Sequence, residues 1–319
     1  MAPHRVSDGC SGTTSTRVQM SESGDKSHYR SGMVVIVGRP NVGKSTLLNR
    51  LIGVKLSIVS RRAQTTRHRI LGIHTDSRAQ IAFVDTPGFQ LEHPSALNRT
   101  MNRTVTSALR EVDAVMLVVE AEKLTKQDEV IISMLPESTP VVAVINKIDK
   151  LKDRTALLPF IETLRATHTF NEFVPVSAEK GTGVPELVDA IVGYLPVGDP
   201  VYEDDAITDR PERFLAAEIV REKLFQFLGE ELPYGTTVEI ERFEHDGPLR
   251  RINATVIVAK SAHKAMVIGA RGAKLKVIGT RARKDMEQLF GGKVFLEVWV
   301  RVKQGWSDDA RSLRSLGYS

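Results

Sequence analysis

"GRPNVGKST", residues 38–46, follows the apolar run "MVVIV" and opens a stretch with helical spacing. Gly38, Gly43, Lys44 and Ser45 satisfy the pattern GxxxxGK[ST], with Arg39, Pro40, Asn41 and Val42 as the body of the loop and Thr46 just past it. The chemistry needs these types. Glycines let backbone N–H groups turn inward around phosphates, a helix N-terminus adds partial positive charge, Lys44 neutralises phosphate oxygens and Ser45 can ligate Mg²⁺. A glycine turn before a helix is the plain alternative, and the strand-loop-helix context argues against it. The motif implies a nucleoside triphosphate and leaves the base open.

Outward from this loop, residues 33–195 alternate short β-branched runs ("MVVIVG", "QIAFVD", "AVMLVV", "VVAVIN", "EFVPVS") with longer amphipathic stretches. That alternation predicts an α/β domain: a mostly parallel sheet with helices on both faces and ligand loops at the carboxyl ends of the strands. "PVGDPVYEDDAITDRPER" begins at 196, is rich in proline and acid, and reads as a linker over 196–212. Residues 213–319 then predict a small α+β domain of helix, two strands, a helix-turn-helix around "GARG" and a last strand.

Three further motifs end predicted strands. "DTPGF", 85–89, puts Asp85 where it can hold a Mg²⁺ shell, carries Thr86 and Pro87 through the turn, and gives the Gly88 N–H a γ-phosphate to sense. Phe89 stands where Ras-like proteins place the glutamine that orients water, so it cannot do that work. In "NKID", 146–149, an Asp149 carboxylate can accept both N1–H and the exocyclic amine of guanine. Asn146 can bond N7, the Lys147 stem can cover a ring face, and Ile148 lies between them. Adenine offers Asp149 no such pair of donors, so the base is guanine. "VSAEK" brings Ser177, Ala178 and Lys180 to another strand end, with the Ala178 N–H placed for guanine O6.

Charge separates the two halves. The whole chain carries +5, but residues 250–303 hold 13 Lys/Arg against 3 Asp/Glu, a local balance of +10. A polyanionic partner is implied there. Within it, "VIGARGAKLKVIG" places Gly269, Ala270, Arg271 and Gly272 as a GxxG loop that lets backbone approach a sugar-phosphate chain. Leu275, Ile278, Ala282 and Leu289 recur at helical spacing and should face a sheet, leaving Lys274, Lys276, Arg281 and Lys284 as a basic surface for RNA. Trp299 reads as core and Trp306 as exposed. The single cysteine, Cys10, cannot form an internal disulfide, which fits a reducing cytoplasm. Residues 1–32 read as a disordered tail without a signal sequence, and no run approaches a membrane span.

The four nucleotide motifs, in this order, resemble those of translation-factor-related GTPases. "AQTTRHRILGIHT" and the C-terminal half resemble the bacterial Era family of GTPases, over essentially residues 33–318. The resemblance implies a Ras-like GTPase domain followed by a type II KH domain. It implies that "QTTRH", 64–68, is the first switch, with Thr66 favoured over Thr65 as the Mg²⁺ and γ-phosphate ligand. Lys44, Thr66 and Gly88 become the candidates for stabilising the transition state and positioning water. In related GTPases an asparagine at the Asn41 position helps bind K⁺. The implied function is GTP-controlled assembly of the 30S subunit through 16S ribosomal RNA near its 3′ end, by a mostly monomeric cytoplasmic protein with peripheral contact to the inner membrane. Two other function classes are compatible with parts of this pattern. An RNA-binding module with a mainly structural nucleotide site conflicts with complete switch elements, and a small-molecule kinase lacks an acceptor-binding domain.

Overall fold

The computed structural model describes residues 28–318 except 61, 63, 91–94, 230 and 231. The expected tail therefore lies outside the described residues up to 27, while residues 30–32 already belong to strand β1.

The first domain is built on a six-stranded sheet of β1 (Arg30–Val37), β2 (Ile70–Thr75), β3 (Ala79–Asp85), β4 (Ala114–Glu120), β5 (Val141–Asn146) and β6 (Glu172–Pro175), in the order β2-β3-β1-β4-β5-β6. All neighbours are parallel except β2 and β3. In β1 Val34 and Ile36 face one layer while Val35 and Val37 face the other, and all four are fully buried. A strand covered on both faces reads as a continuous apolar run, which is what "VVIV" is. Helices α1 (Lys44–Ile52) and α5 (Val184–Tyr194) cover one face through Leu47, Leu48, Leu187 and Ile191. Helices α2 (Ala96–Ala108), α3 (Lys126–Ile132) and α4 (Leu157–Arg165) cover the other through Val105, Ile131 and Leu164. Each such buried leucine or isoleucine contributes about 1.5–3 kcal/mol.

Residues 196–212 are a strap rather than a free tether. Gln80 binds the Tyr202 carbonyl, Ile73 N–H donates to Ile207 O at 3.0 Å and Thr208 Oγ1 to Leu71 O at 2.6 Å. The second domain then joins α6 (Glu212–Phe227), β7 (Thr236–Asp246), β8 (Leu249–Val258), α7 (Ser261–Ile268), α8 (Ala273–Phe290) and β9 (Lys293–Val302), followed by α9 (Ala310–Ser315). Its sheet runs β7-β8-β9, with β7 antiparallel and β9 parallel to β8. Helices α6 and α8 bury Val220, Leu224, Ile278, Ala282 and Met286 against Ile252, Ala254 and Val256.

Both tryptophans differ from the sequence reading. Trp299 is 62% exposed, because β9 is an edge strand whose alternate residues leave the helix-covered face. Trp306 is fully buried, since the C-terminal segment folds back onto the first domain and packs it with Leu97 and Met101 of α2, Leu313 and Tyr318.

Candidate nucleotide and RNA sites

The phosphate loop folds as its glycines permit. Gly43 has φ 105°, and a Cβ there would lie 2.3 Å from Asn146 Nδ2, so only glycine serves. No side chain caps α1, which leaves its first N–H groups for an anion. Lys44 Nζ donates to the carbonyls of Gly38 (2.8 Å) and Arg39 (3.0 Å). Burial pulls its pKa down to about 8, partly opposed by Asp85 and reinforced by Arg39.

Three oxygen donors converge beside the lysine. Ser45 Oγ lies 2.7 Å from Thr66 Oγ1 and donates to Asp85 Oδ2 at 2.7 Å. Ser57 Oγ, which the sequence reading missed, donates to the same carboxylate oxygen at 2.8 Å. Asp85 is fully buried, its Oδ1 accepts no hydrogen bond among the described residues, and burial raises its pKa. A buried carboxylate with an open oxygen beside two hydroxyls fits Mg²⁺, a hard cation held by few protein oxygens. Thr65 turns the other way, its Oγ1 bonding Ser60 Oγ and Arg62 O, so Thr66 is the residue in this set.

The cleft over these groups has a volume of about 1110 Å³. Pro40, Asn41, Thr46, Gly88 and Lys147 line it together with Lys44, Ser45 and both threonines. A Cβ on Gly88 would meet Pro40 atoms at 2.8–2.9 Å, so the second switch lies directly on the phosphate loop. Thr86 is buried with its Oγ1 donating to Ile36 O, and Pro87 beside it is buried as well. Phe89 packs on the hydrophobic layer under α2 and does not line the cleft. Arg39 is drawn away from the cleft by Asp128 (3.0 Å) and Glu120 (3.3 Å).

At the base end, Ser177 Oγ donates to Asp149 Oδ1 at 2.6 Å and accepts from Lys180 N–H at 3.1 Å, which fixes the carboxylate. Lys147 takes a left-handed backbone (φ 66°), and its Nζ reaches Asn41 O at 2.6 Å and Glu120 at 3.0 Å. Its stem is thereby laid along the cleft. Sequence reasoning gave Asn146 to guanine N7 and the Ala178 N–H to O6. In this structure the two bond each other at 3.0 Å, and Asn146 Nδ2 holds Val42 O at 2.7 Å. Asn146 is buried, so its amide joins three loops; Ile148, also buried, is the first residue of the 3₁₀ turn and anchors it.

The second domain also reaches this cleft, for which its sequence carries no local signal. Phe225 and Gln226 of α6 line it beside Arg62. Arg62 donates to Leu228 O (2.8 Å) and Gly229 O (3.0 Å). Arg67, one residue beyond Thr66, is buried and donates to Thr236 O (2.8 Å) and Tyr234 O (3.2 Å), with Phe225 and Trp306 rings 5.7 and 5.9 Å from its guanidinium.

The GxxG loop joins α7 to α8, with Gly269, Arg271 and Gly272 all at positive φ and Ala270 exposed in the 3₁₀ turn between them. Arg271, Lys276, Arg281 and Lys284 are exposed and Lys274 half-buried beside Gly269, while Ile278, Ala282 and Met286 turn inward. Arg281 lies 4.8 Å over Phe227. The loop and helix thus present cations around a strained backbone turn, the arrangement that suits a single-stranded phosphate backbone.

Comparison with known proteins follows the same division. The model of the 50S ribosome-binding GTPase family matches residues 33–147 and that of the KH domain matches residues 231–307. The GTPase Era of Nitrosomonas eutropha is 53% identical over 299 residues, covering 94% of this chain and 100% of its own. That of Chromobacterium violaceum is 55% identical over 289 residues, covering 91% and 98%. A variant of Aquifex aeolicus Era bound to GDP·AlF4⁻ superposes with a TM-score of 0.88 at 41% identity, covering 91% of this chain and 99% of its own. Era in complex with MgGDPNP and nucleotides 1506–1542 of 16S ribosomal RNA gives 0.88 at 41% identity, covering 92% and 100%.

Proposed function

This chain belongs to the Era family of GTPases, and from that premise we propose that it is a Mg²⁺-dependent GTP switch that binds the 3′-terminal region of 16S ribosomal RNA in 30S assembly. The observation that carries the proposal is the adjacency of Thr66 and Arg67. One stands in the metal-ligand set and the next is buried in contacts with the KH domain. A γ-phosphate that orders Thr66 therefore also sets Arg67, and hydrolysis frees both.

The chain's own groups divide the chemistry. The α1 N-terminus and Lys44 hold the phosphates, Gly88 offers its N–H to the γ-phosphate, and Asp149 selects guanine. Ser45, Thr66 and Asp85 would hold Mg²⁺, which would supply charge neutralisation at the phosphates. Phe89 gives no group to polarise water, so unassisted turnover is at or below the order of 10⁻³ s⁻¹. Asn41, which lines the cleft, supports K⁺ as an added charge beside the phosphates. The protein works in the cytoplasm, mostly as a monomer. No helix among the described residues is long and apolar enough to cross a membrane, and the basic KH face supports peripheral contact with an anionic inner-membrane surface.

The test compares affinity for a 16S 3′-end RNA with GDP and with a GTP analogue bound, and the GTPase rate with and without that RNA. The switch reading expects both to change. If neither moves, the nucleotide site is structural and the proposal fails.

A further inference from the structure

On the other side of Arg67, the segment leading into β2, helix α2, the end of the strap and the C-terminal Tyr318 enclose a second cleft of about 360 Å³. Four arginines line it, Arg67, Arg69, Arg103 and Arg210, and no carboxylate does. Among the described residues, the carboxylate within ion-pair distance of Arg69, Arg103 or Arg210 is Asp209, 3.7 Å from Arg210 Nε and outside the lining. Arg210 Nε is itself buried and donates no hydrogen bond among the described residues. Arg67 is spent on KH-domain carbonyls, Arg210 donates Nη2 to Arg69 O at 2.5 Å and lies over the Phe214 ring, and Arg69 Nη2 lies 3.3 Å from Met33 Sδ, so Arg69 and Arg103 lack a carboxylate partner among the described residues.

Arginines that line one small cleft repel one another, and an anion among them offsets that repulsion. Their planar forks match phosphate oxygens in pairs. The floor agrees with this electrostatic reading. His68 stacks 4.5 Å from the Tyr318 ring, and its pKa is pulled down to about 4, first by burial and then, against Glu218, by Arg221, Arg210 and Arg67. The cleft is of small-ligand size, and its walls come from four separate segments. An RNA strand would instead need an open basic track such as the one around the GxxG loop.

We propose that this cleft is a binding site for a small phosphorylated anion, held by Arg69, Arg103 and Arg210. Arg69 lies three residues beyond Thr66, and Arg103 lies on the helix that follows Gly88. A bound anion therefore bridges both switch segments to the strap and the C-terminus, and its affinity differs between the GDP and GTP states.

The test uses the full chain with its nucleotide cleft filled by Mg·GDP, so that the phosphate loop cannot take the probe. Inorganic pyrophosphate is titrated calorimetrically at fixed excess Mg²⁺. One equivalent should bind. Arg103→Ala and Arg210→Gln should each weaken binding about tenfold or more, as expected for losing a charge-assisted bond. Arg301→Ala, which removes a KH-sheet arginine paired with Glu241, should leave it unchanged. Arg103 is exposed on α2, so its loss spares the fold, and a melting curve checks this. In a Trp299→Phe background the remaining tryptophan, Trp306, lies 6.2 Å from Tyr318 and should change its emission on binding. Absence of binding, or equal affinity in all variants, overturns the proposal. So does the outcome in which pyrophosphate fails to bind while Arg103→Ala weakens the 16S RNA complex, since the cleft is then an RNA-backbone contact.

Discussion

Replacing Arg67 with methionine should separate nucleotide state from the KH domain while leaving nucleotide binding intact. The side chain is 2% exposed and donates at 2.8 Å to the Thr236 carbonyl that opens β7 and at 3.2 Å to that of Tyr234 in the turn before it. Two charge-assisted bonds at about 1.5–3 kcal/mol each give roughly 3–6 kcal/mol, and contacts with two aromatic rings add about 1 kcal/mol. Against this, the variant is relieved of burying a cation, a desolvation of several kcal/mol that already lowers the Arg67 pKa. Methionine keeps most of the apolar stem. The net cost is about 2–4 kcal/mol, on the interface rather than on either core. In urea, with a slope of about 2 kcal/mol per molar, the loss of domain docking should move down by about 1–2 M. Trp306 reports that transition in a Trp299→Phe background. The second readout is the ratio of 16S RNA affinities in the GTP-analogue and GDP states, which should collapse toward unity in Arg67→Met at unchanged GDP affinity. An unaltered ratio with an unaltered Trp306 transition refutes the route through Arg67.

Asp149→Asn should weaken GTP about a hundredfold or more and favour xanthosine triphosphate, because an amide donor replaces an acceptor of two guanine protons; competition binding checks it. Lys44 gives a pH dependence of known sign. Its pKa without nucleotide is depressed to about 8 and phosphate binds the ammonium, so GDP affinity should be flat below about pH 8. Above it the affinity should fall by up to about tenfold per unit, and a flat profile to about pH 9.5 would contradict the assignment. Gly88→Ala puts a methyl 2.8–2.9 Å from Pro40 atoms and should push the second switch off the phosphate loop. GTP-analogue affinity should then drop while GDP affinity holds, measured by nucleotide exchange.

The nucleotide site was legible because its chemistry is local: Lys44 opens α1, Asp85 ends β3 and Asp149 lies in the 3₁₀ turn just after β5, each inside a short motif. Ser57 and Asn146 show where that stops. Ser57 has no motif and reaches Asp85 because Asn49 pins its backbone, with Oδ1 accepting from Ser57 N–H at 2.8 Å. Asn146 has the expected place, but burial spends its amide on Val42 and Ala178. Strand β2 was missed since "ILGIHT" at a sheet edge lacks the unbroken β-branched run of the central strands. The two tryptophans were misplaced for different reasons. In "KVFLEVWVRV" Val294, Leu296, Val298, Val300 and Val302 share one face while Lys293, Glu297, Trp299 and Arg301 share the other, so the alternation itself puts Trp299 on the polar face, and the size of its ring was read over that signal. Docking of one domain on the other, which brings Phe225 to the cleft and Trp306 to α2, leaves no periodic trace in either segment.

With Phe89 packed against the layer under α2 and off the cleft, the rate depends on what positive charge reaches the γ-phosphate, and the arginines beside the cleft are already committed. Arg39 is paired with Asp128 and Glu120, and Arg62 is hydrogen-bonded to Leu228 and Gly229 carbonyls. Neither is poised as a finger within the chain. Lys147 is clamped between Asn41 O and Glu120. Lys44 and Mg²⁺ remain, and a further charge has to come from solution or from a partner. Asn41, at φ 65° in the phosphate loop, lines the cleft where a K⁺ ion could share oxygens with the phosphates. Exchanging K⁺ for Na⁺ should therefore slow single-turnover hydrolysis by about tenfold or more, in the range of removing one transition-state charge contact. Asn41→Ala should erase the difference between the salts, and Arg62→Ala should leave it in place. Equal rates in K⁺ and Na⁺ for the unmodified chain would remove the ion from the mechanism and assign the missing charge to the ribosomal partner.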